Sequence, residues 1–78
     1  MSAAKTRRAQ RRLSANVLRL RCSAELTQQA AAERAGIHWR HWQKIEAGEV
    51  NPRLSSLVKI ANALRVDVAT LLAERRTP

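Results

Sequence analysis

The chain has 78 residues, fifteen of them Lys or Arg and six Asp or Glu, for a formal charge of +9, and it contains no Phe or Tyr. That length allows one domain, near the lower limit at which a hydrophobic core folds without staples. The single cysteine, Cys22, excludes an internal disulfide and suits a reducing compartment, and no apolar run approaches the roughly 20 residues of a membrane span. Abundant Ala and Leu favour helix over strand, and the excess of positive charge points to a polyanionic partner, of which nucleic acid is the commonest.

Leu13, Val17, Leu20 and Ala24 stand at i, i+4, i+7 and i+11 and predict the buried face of a first helix. Residues 1–12 hold Lys5, Arg7, Arg8, Arg11 and Arg12 with no acid. They read as a basic N-terminal arm that can extend this helix, since nothing between Ala3 and Leu13 breaks one. The same stretch has the Arg-rich, acid-poor look of a transit peptide, but a folded pattern that begins by Val17 leaves little room for a removable segment. Thr27 is a good N-cap for a second helix, and Gly36 is placed to end it in the left-handed conformation.

A third helix is expected from about His38 to Ala47, stopped by Gly48. Asn51-Pro52 predicts the start of a fourth, with Asn as the cap and Pro at the first helical position. Leu54, Leu57, Val58, Ala61 and Leu64 form its apolar stripe. Asp67 is the expected cap of a short fifth helix with Val68, Leu71 and Leu72 apolar, and the tail Arg75-Arg76-Thr77-Pro78 is expected to fray. The reading is an all-α chain of five helices: an arm (1–12), one domain (13–74) and a short tail (75–78).

The middle of the chain, Leu26 to Pro52, is the most informative stretch. Counted from Gln28, Ala32 at the fifth position is small enough for two helices to cross, and Gly36 at the ninth makes a sharp turn. Ile37, Trp42 and Ile45 then supply a buried side. A lone glycine between helices is weak evidence, but these residue types in one register are strong.

With Leu26-Thr27-Gln28, Ala32, Gly36-Ile37, Ile45-Glu46-Ala47-Gly48, Asn51-Pro52, Leu57, Ala63-Leu64 and Leu71-Leu72 in place, the chain resembles the Cro/phage-repressor-type (XRE) helix-turn-helix family from roughly Val17 to Leu72. The resemblance implies a five-helix, lambda-repressor-like DNA-binding domain whose helices 2 and 3 form the helix-turn-helix, usually acting as a homodimer on double-stranded DNA. Carried over by position, Trp39, Arg40 and Lys44 match base-reading positions, with Gln43 beside them on the exposed face. Gln28 with Thr27, at the start of the second helix, and Arg53, after the loop, match phosphate-contacting positions. His41, Arg8, Arg11 and Arg12 are further phosphate candidates. Arg21 and Glu46 match a partly buried ion pair tying the first helix to the end of the recognition helix. Val68, Leu71 or Leu72 on the fifth helix is the expected dimer surface.

The chain also departs from the family pattern. Ala31 and Ala35 replace larger aliphatics and Trp42 replaces Ile or Val, which reads as a volume exchange inside the core. His38 replaces the usual Ser or Thr cap of the recognition helix, so that start is expected to be less well capped. Arg65 replaces the usual Gly after the fourth helix, at a cost of about 1 kcal/mol if the left-handed geometry persists.

Trp39 keeps several readings open: cover for a thymine methyl or sugar face, a lid over the core, or a protein contact. His38 and His41 lie three apart, but with Cys22 on another helix and no acid beside them they do not make a metal site. No cofactor is expected. No paired carboxylate, Ser-His-Asp set or phosphate-binding glycine loop is present, which argues against an enzyme. The expectation is a sequence-specific, cytoplasmic, nucleoid-associated regulator of bacterial or phage type, such as a restriction–modification controller or phage-type repressor. Its rival is an antitoxin or protein-interaction module on the same fold, engaging a toxin or other regulatory protein through the arm or the tryptophan face.

Overall fold

The structure, a computed structural model, describes residues 3–74. Five helices follow in order: α1 (Ala3–Ser23), α2 (Gln28–Ala35), α3 (Trp39–Glu46), α4 (Leu54–Leu64) and α5 (Val68–Leu72), with no strand among the described residues. The tail 75–78, where fraying was expected, lies outside the described residues.

Residues 3–12 are helical and continuous with the rest of α1, so the basic segment is part of one 21-residue rod. At 1.5 Å per residue that rod is about 30 Å long, close to the 34 Å longest extent of the molecule. Its face buries Leu13, Asn16 and Val17, with Leu20 partly buried. The helix ends at Ser23, so Ala24, expected on that face, is exposed in the turn instead.

Four of the five helices close in the same way. After each, a residue with positive φ turns the chain: Glu25 (58°), Gly36 (71°), Gly48 (73°) and Arg65 (59°). At each site the next N–H reaches back five residues: Leu26 to Arg21, Ile37 to Ala32, Glu49 to Lys44 and Val66 to Ala61. These are Schellman turns, and each satisfies helix carbonyls that would otherwise lack partners. At Gly36 an added Cβ would meet nothing within 4 Å, so backbone conformation rather than space selects glycine there.

The core is Leu13, Val17, Ala31, Ala32, Ala35, Trp42, Ile45, Leu57, Ile60, Ala61, Ala63, Leu64 and Leu71. Trp42 is completely buried in it, and Ala31 and Ala35, the positions expected to have given up volume to the indole, are buried in the same core. Two expectations about α4 are corrected. It begins at Leu54, with Arg53 at the N-cap position and no side-chain cap, so Asn51 and Pro52 belong to the preceding loop. Its buried face runs through Leu57, Ile60, Ala61, Ala63 and Leu64, leaving Leu54 and Val58 exposed.

Asp67 stands at the N-cap of α5 without a side-chain bond. What fixes α5 is Asn16, the one buried polar residue among the described residues. Its Nδ2 donates to the Leu71 and Ala73 carbonyls at 2.9 Å and lies 3.4 Å from the Thr70 carbonyl. A five-residue helix offers little packing of its own, and this amide ties its C-terminal carbonyls to the middle of α1.

Candidate nucleic-acid interface

Helix α3 has two faces. Trp42 and Ile45 are buried against the core, whereas Arg40, Gln43 and Lys44, at i, i+3 and i+4, stand exposed together. Both ends of the helix are fixed. At its start the His38 Nδ1 accepts the Arg40 N–H at 3.1 Å, so the imidazole is an effective cap where a weak start was expected. At its end Gly48 makes the left-handed turn, and a Cβ there would sit 3.5 Å from the Ser14 Oγ of α1.

Beneath the C-terminal turn lies a polar hub. The Glu46 carboxylate, on a side chain only 5% exposed, pairs with Arg21: Nε to Oε2 at 2.5 Å and Nη2 to Oε1 at 3.1 Å. The same carboxylate accepts the Trp42 Nε1–H (2.5 Å) and a Gln28 Nε2–H (3.1 Å), while Arg21 Nη1 donates to the Leu26 carbonyl (2.7 Å). Burial raises the Glu46 pKa, but the hydrogen bonds from Arg21, Trp42 and Gln28, with the Arg21 charge, outweigh it and hold the carboxyl below its ordinary value. The bond to Glu46 raises the Arg21 pKa against the opposing effect of burial.

Gln28 connects this hub to the exposed face. Because Glu46 only accepts, the Gln28 amide must turn its Nε2 inward, and its Oε1 then accepts from Gln43 Nε2 at 3.3 Å. The chain of contacts therefore runs from the buried indole through Glu46 and Gln28 to a side chain on the outer face of α3.

The remaining candidates are more scattered. Thr27 caps α2 through Oγ1, which accepts the Ala30 N–H at 3.0 Å, and its own O–H remains a donor. Trp39 is half-buried, packed against the core edge; the Arg40 guanidinium lies 5.6 Å from its ring centroid and the His38 ring 6.4 Å from it. His41 is half-buried on α3, and Arg53 is exposed where α4 begins with its first N–H groups uncapped by any side chain. Arg8 and Arg11 are exposed and Arg12 half-buried on α1.

The expected dimer surface is corrected at one position. Leu71 is completely buried and belongs to the core; Leu72 is 38% exposed and Val68 partly buried. Sequence reasoning missed Asn16, Glu25 and the Trp42–Glu46 bond. The last had a visible signal, because a tryptophan at a core position needs an acceptor for its N–H and Glu46 stands four residues on. Among the described residues no group of three or more His, Cys, Asp or Glu could hold a metal ion, and no helix is long and apolar enough to cross a membrane.

Two short helices packed together, with the small Ala32 buried, a glycine turn between them, and a second helix buried on one face and polar on the other define a helix-turn-helix domain. The family HTH_3, helix-turn-helix, matches residues 17–71. The chain belongs to this family, the XRE type of DNA-binding transcription regulators, a class that is not typically enzymatic. It is similar to the crystal structure of a hypothetical transcription factor, NHTF, from Neisseria, at 26% identity and a TM-score of 0.81 over 83% of this chain and 75% of that one. It is equally similar to an HTH_3 family transcriptional regulator from Vibrio cholerae, at 26% identity and a TM-score of 0.81 over 85% of this chain but 37% of that one. No curated protein sequence matches.

Proposed function

We propose that this protein is a sequence-specific regulator of transcription that binds double-stranded DNA as a homodimer, with α3 in the major groove. The observation that carries this reading is the exposed trio Arg40, Gln43 and Lys44 on a helix whose opposite face is locked by Trp42, Ile45 and the Glu46 hub. Arginine is suited to bidentate contact with guanine and glutamine to adenine, while lysine can serve a base or a phosphate. The backbone N–H groups that open α2 at Gln28, the Thr27 hydroxyl and the exposed Arg53 at the start of α4 are the donors we assign to backbone phosphates, the Gln28 side chain being engaged by Glu46 and Gln43.

One such helix reads too few bases for useful specificity, so two copies on a near-palindromic site about 34 Å apart complete the proposal. Leu72, with Val68 beside it, remains the α5 surface for pairing. Within this class the readings we favour are a restriction–modification controller and a phage-type repressor. Selection from random duplexes should return a two-fold symmetric motif. Arg40→Ala should flatten preference at one base position per half-site while leaving helicity unchanged, at about 1–3 kcal/mol of discrimination. If no motif emerges, or if binding survives Arg40→Ala combined with Lys44→Ala unaltered, the sequence-reading proposal fails. The same fold used as an antitoxin would then remain, detectable as a stable complex with its toxin.

A further inference from the structure

Because residues 3–12 continue α1, their helical phase assigns each cation to a flank of the rod. Arg7, Ser14 and Arg21 are spaced by seven residues, about 20° short of two full turns, and so lie along one flank. That flank faces the recognition helix: Arg21 bonds Glu46 at the end of α3, and Ser14 lies against Gly48 just after it. One step further along the same line, about 10 Å on, brings Arg7 beside the loop between α3 and α4. The neighbouring positions Thr6, Ala9 and Gln10 line a groove there with Asn51 and Pro52.

Lys5, Arg12 and Arg19 form a second line with the same spacing, and Arg8 joins it four residues before Arg12. Their flank is that of Asn16, four residues after Arg12, whose amide binds α5. Arg11 points between the two, in line with the exposed Leu18 and Cys22. Among the described residues none of the cations at 5, 7, 8, 11 and 12 has an acidic partner, the one ion pair being Arg21–Glu46.

We propose that Arg7 is a DNA phosphate contact, acting with Arg53 near the α4 end of the α3–α4 loop, and that Lys5, Arg8 and Arg12 are not. This makes the basic segment a rigid strut: one side continues the DNA-facing surface, and the other lies beside α5. It rests on the DNA-binding reading above and adds a residue outside the helix-turn-helix unit. Being on a helix, Arg7 reaches its phosphate without the ordering cost a disordered arm would incur.

The test compares the full chain with Arg7→Gln and Arg12→Gln, both of which preserve helix propensity, on a mixed-sequence duplex long enough for two half-sites, across a salt titration. Arg7→Gln should reduce the slope of log K against log[salt] by about 0.9 per protomer and weaken binding about fivefold per protomer near 0.15 M salt. The preferred sequence should not change, and Arg12→Gln should bind within about twofold of the parent. Parent-like binding by Arg7→Gln, or an equal loss in Arg12→Gln, overturns the flank assignment while leaving the DNA reading standing. If the parent binds no duplex at all, the DNA reading itself falls and this assignment with it.

Discussion

Truncating Glu46 to alanine should be among the most damaging single changes in this protein. Its carboxylate, 5% exposed, is the common acceptor for Arg21, Trp42 and Gln28. Removing it leaves a guanidinium that is 13% exposed with only the Leu26 carbonyl, and leaves a buried indole N–H without an acceptor. Breaking a buried ion pair from one side costs about 3–5 kcal/mol, and an orphaned buried donor about 1–3 kcal/mol. The two losses share one carboxylate and will not simply add, so the expectation is about 3–5 kcal/mol in total. A domain of this size has roughly 4–12 kcal/mol of stability in all. At about 4–8 °C per kcal/mol the Tm should fall by roughly 12–40 °C.

Urea unfolding followed by circular dichroism and by tryptophan fluorescence measures this directly. A loss below about 1 kcal/mol, the range of a solvated surface pair, would refute the reasoning. A second variant isolates the mechanism. Arg21→Met with Glu46→Gln removes both charges but keeps an oxygen for the Trp42 N–H, so the double variant should be more stable than Glu46→Ala alone. The pH dependence has a definite sign. Glu46 is held below its ordinary value in the fold, so the unfolded chain takes up the proton first as pH falls. Its contribution is complete above the ordinary glutamate value of about 4.3, and is lost as pH drops through the lower folded value. The stability gap between the parent and Glu46→Gln should therefore narrow in acid.

Other substitutions separate packing from polar contributions. Trp42→Ala should cost about 3–5 kcal/mol, and Trp42→Phe less, since Glu46 keeps its other donors; comparable losses would show that packing volume is not what the indole supplies. Arg65→Gly and Glu25→Gly, at the left-handed positions, should each leave stability unchanged or raise it by up to about 1 kcal/mol, and a loss in either would mean that its side chain does more than tolerate the turn. His38→Ala should cost about 1 kcal/mol by uncapping α3 while His38→Ser should not, with thermal unfolding as the readout. Asn16→Asp, which replaces a donor by an acceptor facing carbonyl oxygens, should destabilise more than Asn16→Ala, and amide exchange should show α5 released first.

The helix order was legible because each element carries a periodic apolar face, and because Gly36 and Gly48 mark ends that few other residues tolerate. Where the sequence misled, the reason was competition between local rules. Asn51-Pro52 looks like a helix start, yet α4 begins two residues after Pro52 and buries Ile60 and Ala63 rather than Leu54 and Val58. Capping preference at those two residues was weaker than the packing of the stripe beyond them. Glu25 carries no glycine-like signal for its left-handed turn, and Asn16 looks like a polar interruption in an apolar face until α5 is brought against it. His38, discounted as a cap by residue type, satisfies the helix start through a ring nitrogen. Pairings between distant segments, such as Asn16 with α5, have no periodic trace in the chain.

The substitution of Trp at position 42 links these observations to function. A branched aliphatic would fill space and end there, but the indole brings a buried N–H that needs an acceptor, and it takes that acceptor from Glu46. Glu46 must then serve Trp42, Arg21 and Gln28 at once, and Gln28 in turn holds Gln43 on the outer face. Stability and the orientation of the outer face of α3 are therefore coupled through one carboxylate. In the proposed DNA complex, Glu46→Gln should both lower stability and blur preference at the base Gln43 meets, because the Gln28 amide is no longer held to a fixed orientation. Arg40, whose backbone N–H is fixed by His38 at the N-terminal end of the helix, should keep its preference. Base-position profiles of Glu46→Gln and Arg40→Ala measured below the melting range of both would separate the two. A profile for Glu46→Gln identical to the parent at every position would show that the hub holds the fold together without aiming Gln43.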